Sequence, residues 1–103
     1  MKLDVPIAAD LGTHLAEGAA AAEYRRGRID PYVDICDEIV LNFTGVRTAN
    51  SSFVNGLIVG LIEQHGAEVL KLITFKGCNP VLKVLIEAAI DLGLWKIDGR
   101  VGA

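Results

Sequence analysis

The sequence is poor in the residues that build metal centres and disulfide bonds. Its 103 residues include two cysteines and two histidines. Cys36 and Cys78 do not form a CxxC pair, and His14 and His65 stand apart from other ligand-type residues, so no zinc spacing is present. We therefore expect two free, buried thiols, as in proteins of a reducing cytosol, with no metal and no cofactor.

Positive charge is also scarce. Ten Lys and Arg residues face thirteen Asp and Glu residues, which gives a formal net charge of −3. Nucleic-acid-binding domains carry a basic face. The one basic cluster, Arg25, Arg26 and Arg28, is flanked by Glu23 and Asp30, a pattern typical of a solvated helix face. We expect no nucleic-acid partner.

Long apolar runs are missing too. A helix that crosses a bilayer needs about 20 apolar residues. The longest uncharged stretch, Thr48–Ile62, contains two asparagines and two serines. Asp4, Pro6 and Asp10 interrupt the apolar residues near the N-terminus, so we expect no secretory signal. The sequence predicts a cytoplasmic protein that does not bind a membrane.

The glycine patterns of common enzyme sites are absent as well. The sequence has no GxGxxG or GxxxxGK[ST], which would bind nucleotides, and no GxSxG, which would present a nucleophilic serine. The carboxylates are scattered over predicted surface faces. We therefore expect that the protein is not an enzyme.

Apolar residues are what the sequence has in abundance. They make up 51% of the chain, and the mean hydropathy is +0.40. These values are high for a small domain, whose surface is large relative to its volume. Either the core is unusually rich, or another chain covers part of the apolar surface. The length fits one domain over residues 1–103.

Strand patterns alternate with helix patterns along the chain. The predicted strands are Lys2–Ala8, Glu38–Phe43, Val69–Phe75 and a final Leu94–Ile97. The predicted helices are Glu17–Asp37, broken near Pro31, then Ser51–His65 closed by Gly66, and Pro80–Leu92 closed by Gly93, while residues 9–18 are expected to be mostly loop. This alternation predicts an α/β fold with a mostly parallel or mixed four-stranded sheet and three helices.

The topology indicates where a partner would bind. In parallel α/β sheets, binding surfaces lie beyond the carboxyl ends of the strands. Here those ends lead into Thr44–Ser52 and Lys76–Pro80.

In the first predicted helix, one stripe is expected to face inward. It consists of Ala22, Arg26, Ile29, Val33 and Cys36.

The two later helices carry more apolar surface than a single contact needs. In the third, Lys83, Glu87 and Asp91 are the only charges, four residues apart, and Lys83 can pair with Glu87. The excess predicts an oligomer surface at Leu82, Ile86 and Ile90. In the second, Gly56 and Gly60 form a groove that either packs tightly on the sheet or receives a partner protein or a second copy.

The stretch "TANSSFVNG" raises a separate question about its serines. Asn50, Ser51 and Ser52 all suit the N-cap of a helix, because their oxygens accept from the free N–H groups of the first turn. The same place suits a phosphoryl group, since the N–H groups and the helix dipole favour negative charge. A phosphoserine would add about −1.5 to −2 charges there.

The block EIVLNFTGVRTANSSFVNGLIVGLIEQHG resembles the core of the STAS-like family of small bacterial domains. Its most specific part is the GV turn followed by SSF and an apolar helix. EYRRGRIDPYV upstream and FKGCNPVLKVLIEAAI downstream are similar to the family's first helix and to its closing strand, turn and helix. The resemblance covers about residues 20–92.

This resemblance implies a sheet with helices packed on one face. It also implies a relation to anti-sigma factor antagonists, which change partners when a serine at the start of a helix is phosphorylated. Their Asp-Ser-Ser-Gly motif matches Asn50, Ser51, Ser52 and Phe53 here, which makes Ser52, ahead of Ser51, the candidate phosphoacceptor. The sequence departs from the motif at Asn50 and at Phe53, whose side chain we expect in the core.

Three hypotheses follow, and they remain open at the level of sequence. The first is a non-catalytic interaction module in bacterial regulation, whose partner is a kinase, an anti-sigma-like factor or another protein. Its predicted partner-binding residues are Arg47, Thr48, Asn50, Ser51, Ser52 and Asn55. The second is a homo-oligomeric assembly subunit. The third is a small-molecule or nucleotide-binding domain, for which the sequence identifies no ligand.

Overall fold

Strands and helices alternate along the chain. The computed structural model describes residues 1–102 and the side chains of residues 1–98. In chain order the elements are β1 (Lys2–Pro6), α1 (Ile7–Leu11), β2 (His14–Leu15), α2 (Gly18–Arg28), β3 (Glu38–Asn42), β4 (Thr48–Ala49), α3 (Ser51–His65), β5 (Ile73–Lys76) and α4 (Pro80–Gly102). Short 3-10 helices at Asp30–Tyr32 and Ala67–Lys71 follow α2 and α3.

The main sheet is parallel and has three strands in the order β1-β3-β5. The central strand β3 pairs Glu38 with Lys2 on one side and Ile39 with Ile73 on the other. The two-residue strands β2 and β4 form a separate parallel pair. The predicted α/β class with mostly parallel strands is therefore confirmed, while the predicted single four-stranded sheet becomes three strands plus this short pair.

The predicted end of the third helix is wrong. Helix α4 continues through Gly93 and through Leu94–Ile97, which we expected to form a strand. Gly93 serves packing instead of capping, because a Cβ there would lie 2.7 Å from Cδ1 of Ile62 on α3. The short helix α1 in Ile7–Leu11 is a fourth helix that the sequence did not indicate.

Helix α3 lies at the centre of the helical layer and has the bounds expected from the sequence. It packs against α2 on one side and α4 on the other. Its seven buried apolar side chains are Phe53, Val54, Leu57, Ile58, Val59, Leu61 and Ile62. The near absence of polar residues in α3 is thus explained by contacts within this chain, since α3 packs against two helices and shares one core with the sheet.

The two faces of the sheet differ in polarity. Ile39 and Leu41 of β3 belong to the core beneath the helices, together with Ile73 of β5. The opposite face carries polar side chains. There Thr74 donates a 2.7 Å hydrogen bond to Glu38, whose carboxylate also lies 3.9 Å from Lys2 Nζ.

Helix α2 approaches α3 closely at the two glycines of the predicted groove. A Cβ on Gly56 would lie 2.5 Å from the carbonyl oxygen of Gly18, and a Cβ on Gly60 would lie 2.6 Å from Nε of Arg25. The groove is filled within the domain, although the expected packing on the sheet is not what fills it. The contact is with a neighbouring helix instead.

Within α2 the buried face is shifted by one residue from the predicted stripe, while Ile29 and Cys36 of that stripe are buried as expected. Tyr24 and Arg25 are buried, whereas Arg26 is exposed. Arg25 donates to the carboxylate of Asp30, and Nε2 of His65 lies 2.8 Å from the other oxygen of that carboxylate. The pairing explains how an arginine is buried, so Arg25 is not part of a solvated cluster, and it joins the ends of α2 and α3.

The contact between α2 and α3 predicts opposite effects for two glycine substitutions. Gly56→Ala should lower the free energy of unfolding by about 1–3 kcal/mol, because the new methyl group meets backbone. Gly27→Ala is the matched control on α2, where a Cβ would meet nothing within 4 Å. It should raise stability by about 0.5–1 kcal/mol through helix propensity. Urea unfolding followed by circular dichroism measures both, and equal effects would contradict the packing described.

Candidate functional site

Two loops meet at the carboxyl ends of β3 and β5, where the topology predicted a binding surface. Gly77, after β5, has a φ of +72°, and a Cβ there would lie 2.2 Å from Oγ1 of Thr44. Asn79 places its side-chain amide 3.4 Å from the carbonyl oxygen of Arg47. Its own oxygen accepts from Leu82 N–H and caps α4. The segments Thr44–Ser52 and Lys76–Pro80 therefore lie together, as expected.

The start of α3 is capped by one of the three polar residues that suit this position. Oδ1 of Asn50 accepts a 3.0 Å hydrogen bond from Phe53 N–H. Phe53 is 2% exposed and belongs to the core, as expected from its place in the sequence. With Phe53 pointing inward and Asn50 acting as the cap, Ser51 and Ser52 remain exposed at the surface.

Ser52 links the beginnings of two helices. Gly18, the first residue of α2, donates its N–H to Oγ of Ser52 over 3.2 Å. Glu17, the N-cap of α2, makes no side-chain capping bond, so the Ser52 hydroxyl accepts from one of the N–H groups that a helix start leaves unpaired. A Cβ on Gly18 would lie 2.8 Å from the Ser52 carbonyl oxygen. The two first turns therefore touch at this serine.

The segment before α2 forms the other wall of this edge. The N–H groups of Arg47 and Thr48 donate to the carbonyl oxygen of Thr13 over 2.8 and 3.1 Å, and Asn50 N–H donates to Leu15 over 3.0 Å. Nδ1 of His14 lies 2.7 Å from Oγ1 of Thr48. The sequence did not reveal this segment, since a two-residue strand is too short to show alternation.

We call the exposed residues Arg47, Thr48, Asn50, Ser51 and Ser52 the serine edge. All five lie on one continuous stretch of loop and first helical turn and are exposed. Asn55, the remaining predicted partner-binding residue, is half-buried one turn further along α3. The structure thus brings the predicted residues together on one surface, with Asn55 at its border.

The predicted oligomer surface on α4 is not at the surface. Leu82 and Ile86 are 1% and 4% exposed and form part of the core. Ile90 is half-buried against the same core. The phase of the helix was misjudged, because nearly all its faces are apolar. The large apolar side chains that α4 does expose are Val81, Val84 and Trp95.

The serine edge is suited to a broad contact. The cleft beside it, lined by residues such as His14, Ala20 and Phe53, has a volume of about 210 Å³. Small-molecule pockets are usually larger, about 300–1,000 Å³.

Among the described residues, no group of three or more His, Cys, Asp or Glu side chains could hold a metal ion. Nor is any helix in the described part of the chain both long and apolar enough to cross a membrane.

The two cysteines are free thiols, as expected. Cys36 is buried as expected, while Cys78, in the segment Lys76–Pro80, is only half-buried. Burial raises the pKa of the Cys78 thiol, and the Lys83 ammonium opposes that shift. Because the thiolate is the reactive form, the raised pKa makes Cys78 a poor nucleophile at neutral pH.

Removing the Asn50 cap should weaken α3 measurably. Asn50→Ala leaves Phe53 N–H without its acceptor and is expected to lower the free energy of unfolding by about 0.5–2 kcal/mol. Ser51→Ala is the control, because no side-chain hydrogen bond of Ser51 is present in the described structure, and we expect a change within about 0.5 kcal/mol. Chemical denaturation of both variants measures the difference. A larger loss at Ser51 would contradict the assignment of the cap.

Comparison with known proteins gives one match. No curated protein and no solved structure matches the chain. A family model, described as a STAS-like domain of unknown function (DUF4325), matches residues 21–83, which is more than half of the chain. The match runs from α2 through the serine edge and α3 to the start of α4. The chain therefore belongs to the family of STAS-like domains of unknown function.

Proposed function

We propose that the protein is a non-catalytic interaction module in bacterial regulation and that it binds a partner protein through the serine edge. The observation that supports this most is the position of Ser52, which is exposed and bonded to the first N–H of α2. The polar groups around it lie on a rigid frame, because Asn50 and Thr48 are each tied to the backbone or side chains of neighbouring elements.

A phosphoryl group on Ser52 would act on this surface without unfolding it. It would lie at the starts of α2 and α3, where helix dipoles and unpaired N–H groups favour negative charge. It would also place about −1.5 to −2 charges on the surface that meets the partner. Since the Ser52 hydroxyl is the acceptor for Gly18 N–H, the change would extend to the start of α2 and the segment before it.

Charge at Ser52 should therefore control partner binding. We expect Ser52→Asp to lose most of the partner protein that the wild-type chain retains from its host lysate, while Ser52→Ala keeps it. Ala67→Asp is the matched control, because it adds the same charge at an exposed position beyond the far end of α3. Quantitative mass spectrometry of the retained proteins measures the ratio. Equal loss with Ser52→Asp and Ala67→Asp would overturn the proposal.

A homo-oligomeric assembly subunit is the second candidate function. Val81, Val84 and Trp95 of α4 are 63%, 66% and 68% exposed. Large apolar side chains exposed on one helix are typical of a surface that another chain covers. This surface differs from the serine edge, so the two candidate functions can be tested separately.

The second candidate predicts a clear contrast between positions on α4. Val84→Glu should dissociate an oligomer and leave the far-ultraviolet circular dichroism unchanged, because Val84 faces outward. Ile86→Glu should unfold the protein, because Ile86 is 4% exposed. Sedimentation equilibrium gives the mass of each variant. A wild-type chain that sediments as a monomer at all concentrations would rule out this function.

A further inference from the structure

Strand β5 has a free edge. It pairs with β3 on one side and has no strand on the other within the described residues. On the β3 side, Ile39 N–H donates to the carbonyl oxygen of Leu72. Phe43 N–H, just after β3, donates to the carbonyl oxygen of Lys76. Backbone groups point to alternate sides along a strand, so the N–H and C=O groups of Ile73 and Phe75 point away from β3. These backbone groups can form hydrogen bonds with an added extended chain.

A groove lies at the carboxyl end of this free edge, where Gly77 and Cys78 of the turn after β5 also line it. It has a volume of about 450 Å³ and lies between β5 and α4. Phe75 contributes from the strand, and Ile86 and Ile90 contribute from the helix. Phe75 and Ile90 are both half-buried, so apolar surface remains uncovered in the groove. A strand added to β5 would direct every second side chain into it.

Two opposite charges line the same groove. Lys83 and Glu87 are both exposed on α4. The predicted ion pair between them is not formed, and in the described structure neither side chain has another ion-pair partner. They stand one helical turn apart, with Lys83 nearer to the start of α4. An incoming segment that carries an acidic and a basic residue would pair with both.

We propose that the groove between β5 and α4 binds an extended peptide segment of another protein by strand addition. The segment would pair its backbone with Ile73 and Phe75. It would place apolar side chains at alternate positions against Phe75 and Ile90, with an acidic residue near Lys83 and a basic residue near Glu87. Backbone pairing gives such complexes their affinity, and the pockets for alternate side chains give specificity.

This second binding surface does not depend on the serine edge. None of its lining residues belongs to the serine edge. Ser52→Asp should therefore leave peptide binding at the groove unchanged. Failure of one proposal does not entail failure of the other.

The first test is selection from a displayed library of random linear nonapeptides against the full chain. We expect enriched peptides with apolar residues at alternate positions, flanked by one acidic and one basic residue. The double variant Lys83→Glu/Glu87→Lys should reverse the order of the two charges in the selected peptides. Lys96→Glu/Asp98→Lys is the matched control, because it makes the same exchange further along α4 at exposed positions and should leave the selection unchanged.

The second test is amide hydrogen exchange with one selected peptide. Strand addition should slow the exchange of the Ile73 and Phe75 amides about tenfold or more, while Thr74, whose N–H faces β3, changes little. Absence of enriched peptides, or protection elsewhere in the chain, would overturn the proposal. Protection of Ile73 and Phe75 that rises with protein concentration without peptide would overturn it too, because a second copy would then occupy the edge.

Discussion

The close contact between α2 and α3 is the constraint on which the rest of the structure depends. Gly56 has no side chain, so the Gly18 carbonyl group can lie close to it. Gly60 likewise leaves room for the buried guanidinium of Arg25. Because these glycines let the helices approach, the start of α2 reaches the first turn of α3, and His65 at the end of α3 reaches Asp30 just after α2. A bulkier residue at either glycine would push α2 away from α3.

The serine edge is a consequence of that contact. Ser52 becomes the meeting point of two helix starts only because α2 lies so near. The loop after β3 is held against the segment 13–15 by backbone hydrogen bonds, and Asn79 fastens it to the start of α4. These hydrogen bonds hold the polar groups of the loop in place. A change at Ser52 acts directly on α2 because Ser52 Oγ accepts from Gly18 N–H. The groove beside β5 shares Gly77 and Cys78 with the neighbouring segment Lys76–Pro80, but none of the residues of the serine edge lines it.

The sequence predicted α3 well, but the strand predicted over Val69–Phe75 is wrong at its start, where a 3-10 helix covers Ala67–Lys71 and the strand is Ile73–Lys76. The bounds of α3 followed from polar cap residues at its start, an uncharged apolar run and Gly66 at its end. Features that depend on tertiary contacts were not predictable. Gly93 resembled a helix end, but it packs against Ile62. The buried face of α2 was misplaced, because burial of Arg25 depends on its pairing with Asp30. The link from Ser52 to Gly18 joins residues 34 positions apart, and no spacing rule connects them.

Nuclear magnetic resonance of the protein with phosphoserine at position 52 tests most directly whether a change at Ser52 reaches the start of α2. We expect the Gly18 amide and the amides of residues 13–15 to shift, because Ser52 Oγ bonds to Gly18 and the neighbouring segment is tied to the serine edge. The amides of Ile39 and Leu41 in the central strand should stay unchanged. An unchanged Gly18 amide, or shifts spread through β3, would contradict the claim that Ser52 acts on the start of α2 while the core remains intact.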